Sequence, residues 1–265
     1  MDQTGGHFDN PSRSIYTKLK GKQSTATQAS KRRKRPAAES PTYPTASSAM
    51  VGHSKRNVKN KRTKGAPSDS QENPKLVKLF AKYKATGEDR IDHIGIEALC
   101  TDLGIEPGSD EFFVLSWKLQ AATMGYYSRQ EFIEGLSRLQ CGDIPTLRQC
   151  LPQWAAERNV DSVHKSFYTW MFGFTKTPTQ RSLDVNVAFE ILPLVIHDSP
   201  HVAPFIQFLQ DKTQIQALNK DQWTSFYEFC KSIPEDCAGY DELAAWPTLL
   251  DDYVRWRRDQ LPSPS

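Results

Sequence analysis

Apolar side chains recur at helical spacing along most of the chain after residue 74. Residues at i, i+3, i+4 and i+7 share one face of a helix. Four segments show this spacing: Leu76, Leu79, Phe80 and Tyr83; Val163, Phe167, Trp170, Met171 and Phe174; Val202, Phe205, Ile206 and Leu209; and Trp223, Phe226, Tyr227 and Cys230. A further short helix is expected over Ile94–Leu103, and no convincing alternation of period two predicts strands. The pattern predicts an all-α body.

Helix start signals support this interpretation. Ser128 is followed three residues later by Glu131, which forms a capping box, and Asn219 with Gln222 resembles one. Both pairs precede apolar runs, so each predicts the first residue of a helix.

Two segments, Glu111–Gln120 and Asp184–Ile196, are apolar on more than one face. Such helices are buried on several sides. One interpretation is a central core helix in each case, and the other is that one side lines a groove for an apolar ligand. Pro193 is predicted to kink or break the second helix.

The N-terminal 70 residues have a different composition, rich in Ser, Thr, Pro, Gly, Lys and Arg. Their net charge is +11, whereas the remaining 195 residues carry −8. Without regularly spaced apolar residues they cannot offset the entropy of ordering. The sequence predicts a disordered basic tail over 1–70, an all-α domain over 71–258, and a short C-terminal tail over 259–265.

Two basic clusters lie in this tail. The first is the run Lys31, Arg32, Arg33, Lys34 and Arg35, and the second spans residues 55–64. Such clusters are typical of nuclear-import signals or nucleic-acid patches. The alternative is a solvated tail that binds acidic surfaces without specificity. We expect a nuclear protein, with the cytoplasm as a second location.

Other classes are disfavoured. No stretch approaches the ~18 consecutive apolar residues of a membrane span. The five cysteines are odd in number and widely spaced, which predicts free, mostly buried thiols in a reducing compartment.

Metal and cofactor motifs are also missing from the sequence. With Tyr127 at the eighth position of an EF-hand-like loop, positions one, three and five are Gln120, Ala122 and Met124, which cannot bind calcium. A second loop, with Ile91 at position eight, has the same defect. No zinc-ligand spacing or phosphate-binding glycine loop occurs. We expect EF-hand-like units without calcium, no cofactor and no catalytic residues.

Several blocks together resemble the defective-in-cullin-neddylation family, whose fold is the PONY domain. They are the segment 241–254 (DELAAWPTLLDDYV), Trp117–Leu119 with Met124–Tyr127, Gln180–Asp184, Asn219–Trp223 and Gly239–Asp241. The likeness covers roughly residues 74–258. A basic tail in place of a ubiquitin-binding domain is similar to the nuclear branch of that family.

The resemblance implies a non-catalytic co-ligase. Such proteins hold a cullin's C-terminal winged-helix domain, the N-acetylated neddylation conjugating enzyme and the cullin-associated RING protein together. The ubiquitin-like modifier then passes to a cullin lysine, accelerated by proximity.

The resemblance also assigns two surfaces. Asp221, Ala245 and Asp251 match the acidic patch that grips the cullin; the alternative is that the two aspartates merely favour helix N-termini. The apolar pocket for the acetylated methionine corresponds to Ile96, Phe112, Phe113, Leu115, Met124, Tyr127, Phe174, Ile191 and Leu194.

Two rival functions stay open on the sequence. One is a nucleic-acid or chromatin adaptor acting through the +11 tail, although that tail lacks the aromatic interleaving of a stacking platform. The other is a cysteine-dependent enzyme, which would need a spatial Cys–His pairing that sequence does not show.

Overall fold

A computed structural model describes Tyr16 and residues 72–261 of the chain. Residues 72–261 form ten helices: α1 Pro74–Tyr83, α2 His93–Leu103, α3 Asp110–Lys118, α4 Arg129–Arg138, α5 Ile144–Arg158, α6 Asp161–Thr175, α7 Val185–Val195, α8 Val202–Asp211, α9 Lys220–Ser232 and α10 Thr248–Gln260. Four two-residue strands accompany them: β1 Arg90–Ile91, β2 Tyr127–Ser128, β3 Leu183–Asp184 and β4 Ala217–Leu218. Apart from Tyr16, the predicted disordered tail with its basic clusters and residues 262–265 lie outside the described part.

The strands join the helices into helix–strand–helix units that pair with one another. β1 pairs antiparallel with β2, with Ile91 opposite Tyr127, and β3 pairs with β4, with Leu183 opposite Leu218. Ile91 and Tyr127 are the two residues assigned to the eighth loop position, so the loops do meet there. The wider likeness to EF-hands stays a prediction. Helix α5 packs on α2 and α3, which precede it, and on α6, which follows it. It thereby connects the N-terminal helices of the body to the later ones.

The all-α prediction is confirmed, and the periodic segments fall on α1, α2, α6, α8 and α9. Both predicted capping boxes are present. The Ser128 side chain accepts from the Glu131 amide while the Glu131 carboxylate accepts from the Ser128 amide, and Asn219 with Gln222 does the same. Reciprocal caps of this kind satisfy two amides that a helix N-terminus leaves unpaired.

The two helices with several apolar faces are core helices. Five consecutive residues of α3, from Phe112 to Ser116, are buried, and α7 buries residues on both sides of its axis. A kink or break is predicted at Pro193; the break does not occur, because α7 continues to Val195. Pro193 is exposed and lies within the last turn, so its missing amide costs only one hydrogen bond near the end of the helix.

Pro247 stands immediately before α10 and is not part of the helix. Pro247 has φ −60° and ψ 139°, which is extended, and is therefore the N-cap, with Thr248 beginning the helix. The fixed φ of proline, near −65°, is compatible with both the N-cap and the first helical position. The extended ψ of Pro247 assigns it to the N-cap. The helix ends at Gln260, two residues after the expected domain end at residue 258.

Aromatic side chains fill the half of the core around α6 and α9. Tyr168 and Trp223 stack with ring centroids 4.5 Å apart. The Tyr168 hydroxyl donates to the Trp223 carbonyl (2.9 Å), and the Trp223 indole N–H donates to the Tyr168 carbonyl (3.0 Å). These reciprocal bonds satisfy both polar groups in the interior, so the pair fixes α9 against α6.

His201 is fully buried between α8, α9 and α10. Its Nε2 lies 3.0 Å from the Ile233 carbonyl oxygen, so that nitrogen carries the hydrogen. Its Nδ1 then accepts from the Tyr253 hydroxyl at 3.1 Å. Burial lowers the pKa of His201, and this effect outweighs the hydrogen bonds to the Ile233 and Pro234 backbone, which raise it. The imidazole is held neutral as a structural linker of three helices.

We expect stability to fall as the pH drops through the range just below 6.5. There the unfolded state binds a proton that folded His201 resists, so stability decreases by at most about 1.4 kcal/mol per pH unit for one histidine. Urea unfolding at pH 7.5 and 5.5 measures the loss. His201→Gln should be less stable at pH 7.5 but lose less on acidification. The residual loss belongs to His164, whose pKa burial also lowers; equal losses in both proteins would contradict the assignment.

No helix in residues 72–261 is long and apolar enough to cross a membrane. The five cysteines are all free: Cys100, Cys141 and Cys237 are buried, and Cys150 and Cys230 are partly buried. The predicted character of the thiols is thus confirmed.

Candidate functional site

The nine predicted pocket residues lie on four helices, one loop and strand β2. Ile96 is on α2; Phe112, Phe113 and Leu115 are on α3; Met124 precedes Tyr127 of β2; Phe174 is on α6; and Ile191 and Leu194 are on α7. Eight are buried, and Leu194 is partly exposed. All nine belong to or pack on the continuous core of the body.

Direct contacts join four of the nine, and Ser116 links a fifth to them. The Phe113 ring lies edge-on to Phe112 (5.4 Å) and to Phe174 (6.4 Å). The Met124 amide donates to the Phe174 carbonyl at 2.9 Å. The Ser116 hydroxyl donates to the Phe112 carbonyl (2.8 Å), so it accepts from the Tyr127 hydroxyl at 2.7 Å. The Tyr127 hydroxyl is thereby satisfied inside the apolar region.

None of the nine side chains carries a charge, which decides what this region can hold. An apolar group entering it gains the free energy of burial. A free ammonium would lose its hydration without a counter-ion, which is costly. The nine side chains thus form an uncharged, closely packed region in which a cation would be poorly accommodated.

The predicted cullin-binding residues lie at the other end of the sequence, in α9, in the loop before α10, and in α10. Asp221 is exposed in the first turn of α9, Ala245 is exposed in the loop, and Asp251 is partly exposed in the first turn of α10. Each aspartate is near a helix N-terminus, where a negative charge is favoured.

Ala245 and Asp251 are linked through two aromatic rings. The Tyr240 hydroxyl donates to Oδ1 of Asp251 at 2.7 Å. The Tyr240 ring stacks on Trp246, the residue after Ala245, and both rings contact Phe229 of α9. Burial together with the Asp251 carboxylate raises the pKa of Tyr240, so the phenol remains a hydrogen-bond donor. Loop and helix are thus held in a fixed arrangement around Asp251.

Neighbouring carboxylates are neutralised by arginines. Arg255 pairs with Glu242 (3.0 Å) and with Asp252 (3.4 Å), and Arg258 lies 3.6 Å from Glu242. Asp251 instead accepts a hydrogen bond from the neutral phenol of Tyr240, which orients the carboxylate, and Arg255 contributes only through its longer-range charge. Asp251 is therefore suited to meet a cation from a partner.

Asp221 lies farther along α9. It precedes Phe229, where the loop packs, by eight residues, or about 12 Å of helix rise. Its backbone carbonyl accepts from Thr224, and its side chain is exposed. Asp221 therefore lies on the same helix as Phe229. Only Ala245 and Asp251 are linked to each other through the Tyr240 and Trp246 contacts.

The structure also shows features that sequence reasoning missed. Tyr240 orients Asp251 from eleven residues away, through a loop that has no periodicity. A polar cavity of about 610 Å³ is lined by residues that include Arg158, His164, His197 and Lys231. Of these, Arg158 contacts His197 at 3.3 Å and also pairs with Asp110, which lies outside the lining, at 2.5 Å. These residues come from separate elements, so no local sequence signal announces them.

Comparison with known proteins identifies relatives of the chain. Residues 146–256 match the family model described as "Cullin binding". The chain is 37% identical over 187 residues to DCN1-like protein 4 of Homo sapiens, covering 70% of this chain and 63% of that protein. It is 36% identical over 171 residues to DCN1-like protein 2 of Dictyostelium discoideum, covering 64% of each.

A third relative is covered more completely. The identity to DCN1-like protein 5 of Rattus norvegicus is 34% over 178 residues, which is 66% of this chain and 75% of that protein. The matched segment thus spans slightly under two thirds of the human and Dictyostelium relatives and three quarters of the rat one. The family match includes α9, the following loop and most of α10.

Proposed function

The chain belongs to the DCN1-like family of proteins, and from this membership we propose that it is a non-catalytic co-ligase for cullin neddylation. In this proposal it binds a cullin's C-terminal winged-helix domain through Asp221, Ala245 and Asp251. The observation that carries the proposal is the oriented, charged Asp251 inside the segment that matches the cullin-binding family.

The second half of the proposal concerns the conjugating enzyme, which the chain would bind in a complex that also contains the cullin-associated RING protein. The acetylated N-terminal methionine of that enzyme enters the region of the nine pocket residues. Acetylation replaces an ammonium by a neutral amide, which removes the largest desolvation cost of entry. The uncharged lining described above supports this assignment.

The chemistry asked of this chain is positioning. Holding the conjugating enzyme and the cullin lysine in reactive orientation removes several kcal/mol of entropic barrier. Burial raises the pKa of Cys100 and of Cys230 to about 12, so neither thiol is a ready nucleophile near neutral pH. This disfavours the cysteine-dependent alternative at those two positions.

We propose a nuclear location as well. Lys31, Arg32, Arg33, Lys34 and Arg35 supply the dense positive charge that import signals use. The same charge would give weak, salt-sensitive contact with nucleic acid, which is the property of the rival adaptor function.

The pocket assignment predicts that binding depends on the acetyl group. Calorimetric titration with the N-terminal peptide of a neddylation conjugating enzyme should give at least a tenfold higher affinity for the acetylated form. Leu194→Glu should weaken that binding at least tenfold, because Leu194 is partly exposed and a charge there enters the apolar lining without unfolding the core. Met124 is fully buried, so a glutamate there would destabilise the fold, and a loss of binding would not report on the pocket.

Leu243→Glu is the matched control for this titration. Leu243 is 96% exposed in the loop before α10, so the same substitution there should leave peptide affinity unchanged. Equal affinity for acetylated and free peptides, or no effect of Leu194→Glu in a folded protein, would remove the pocket from the proposal.

A further inference from the structure

Tyr16 is packed inside the body although it belongs to the N-terminal 70 residues. Its backbone is helical and its side chain is only 2% exposed. The ring centroid lies 5.3 Å from that of Phe112, with an angle of 79° between the planes, which is the favoured edge-to-face arrangement. Phe112 is one of the nine pocket residues.

Two further observations agree with a position of Tyr16 near α2 and near Tyr127. Burial raises the pKa of its phenol, and the next contributions come from Cys100 and Glu97 of α2. Tyr16 also contributes to the raised pKa of Tyr127, a second pocket residue. Ile96 lies on the same helix as Glu97 and Cys100. An aromatic ring from the N-terminal region therefore touches or adjoins several members of the pocket.

The Tyr16 hydroxyl is imperfectly accommodated. It is buried and has no hydrogen-bond partner among the residues that the structure describes. Removing a hydroxyl from water without giving it a partner costs free energy that the packing of the ring must offset. A tyrosine with an unpaired hydroxyl therefore binds here less tightly than a phenylalanine would. A competing ligand can displace such a ring more easily.

We propose that Tyr16 is an internal occupant of the pocket that competes with the acetylated methionine of the conjugating enzyme. The inference rests on the function proposed above. In the sequence, Tyr16 lies far from Pro74, the first residue of α1. Because the occupant belongs to the same chain, the apparent affinity of the peptide is reduced in proportion to the fraction of open pockets.

Two substitutions in the full-length chain test this in opposite directions. Tyr16→Ala removes the ring and should raise the affinity for the acetylated N-terminal peptide of the conjugating enzyme about 3- to 10-fold. Tyr16→Phe keeps the ring and deletes the unpaired hydroxyl, so its affinity should equal the wild-type value or fall below it. Tyr43→Ala, at another tyrosine of the N-terminal 70 residues, is the matched control and should bind like the wild type. Equal affinities of wild type and Tyr16→Ala would overturn the proposal.

A second measurement without peptide separates this inference from the proposed function. Hydrogen exchange of amides in α3 should be faster in Tyr16→Ala than in the wild type, because the ring no longer covers Phe112. Unchanged exchange would overturn the docking of Tyr16 while leaving the co-ligase proposal intact. Failure of the proposed function gives a different result: no variant binds the acetylated peptide, the competition is overturned with it, and the exchange difference remains.

Discussion

Asp251→Arg should reduce cullin binding at least 10- to 100-fold and abolish stimulation of neddylation. The substitution puts a cation where the proposed partner presents basic residues, so attraction becomes repulsion across the interface. The affinity of the cullin C-terminal domain, measured by calorimetry, and the rate of modifier transfer in a reconstituted reaction should fall together. Binding of the acetylated peptide should be unchanged, because Asp251 belongs to α10 and none of the pocket residues does.

Two further variants separate charge from structure. Asp251→Arg also deprives Tyr240 of its acceptor, which costs roughly 1 kcal/mol of stability. Asp251→Asn removes the charge but still offers an oxygen to the Tyr240 hydroxyl, so it should weaken cullin binding with a smaller loss of stability. Asp259→Arg makes the same change of charge in the last turn of α10 and should bind normally. Normal cullin affinity of folded Asp251→Arg would contradict the patch assignment.

Helices with one apolar face were predictable because their burial follows local spacing. In α6, Phe167, Met171 and Phe174 are buried as the i, i+4, i+7 pattern requires. Pro193 shows the limit of such local rules. The residue type predicts a break, but its cost depends on position in the helix and on exposure, and both are set by the tertiary structure.

The candidate site was less accessible to sequence reasoning. No periodicity distinguishes Ala245 or Ile191 as binding residues, and their assignment came from resemblance to a family. The bond from Tyr240 to Asp251 and the packing of Tyr16 on Phe112 join residues across irregular or distant chain. Tyr16 lies among polar and basic residues, whose composition predicts disorder. Composition is an average over many residues, so it does not reveal that a single ring is buried.

Gly95 is a further residue that composition does not reveal, and it controls the position of α2. A Cβ built on Gly95 would overlap the carbonyl oxygen of Tyr83, the last residue of α1, and would lie 2.7 Å from Cγ2 of Ile91. The obstacle at Tyr83 is backbone, so it cannot rotate away as a side chain could. Only glycine lets α2 begin this close to α1 and β1, and its neighbour Ile96 is a pocket residue.

Gly95→Ala should therefore destabilise the protein by about 3 kcal/mol or more, since the strain of overpacking can be relieved only by separating α2 from α1. Gly173→Ala is the matched control: a Cβ on Gly173 in α6 meets nothing within 4 Å, and alanine should stabilise that helix by about 0.5–1 kcal/mol. Urea unfolding of both variants measures the difference. Because Ile96 follows Gly95, the folded fraction of Gly95→Ala should also bind the acetylated peptide more weakly while retaining cullin affinity through α10. A Gly95→Ala protein as stable as the wild type would show that α1 and α2 do not approach so closely, and the placement of Ile96 in the pocket would then be wrong.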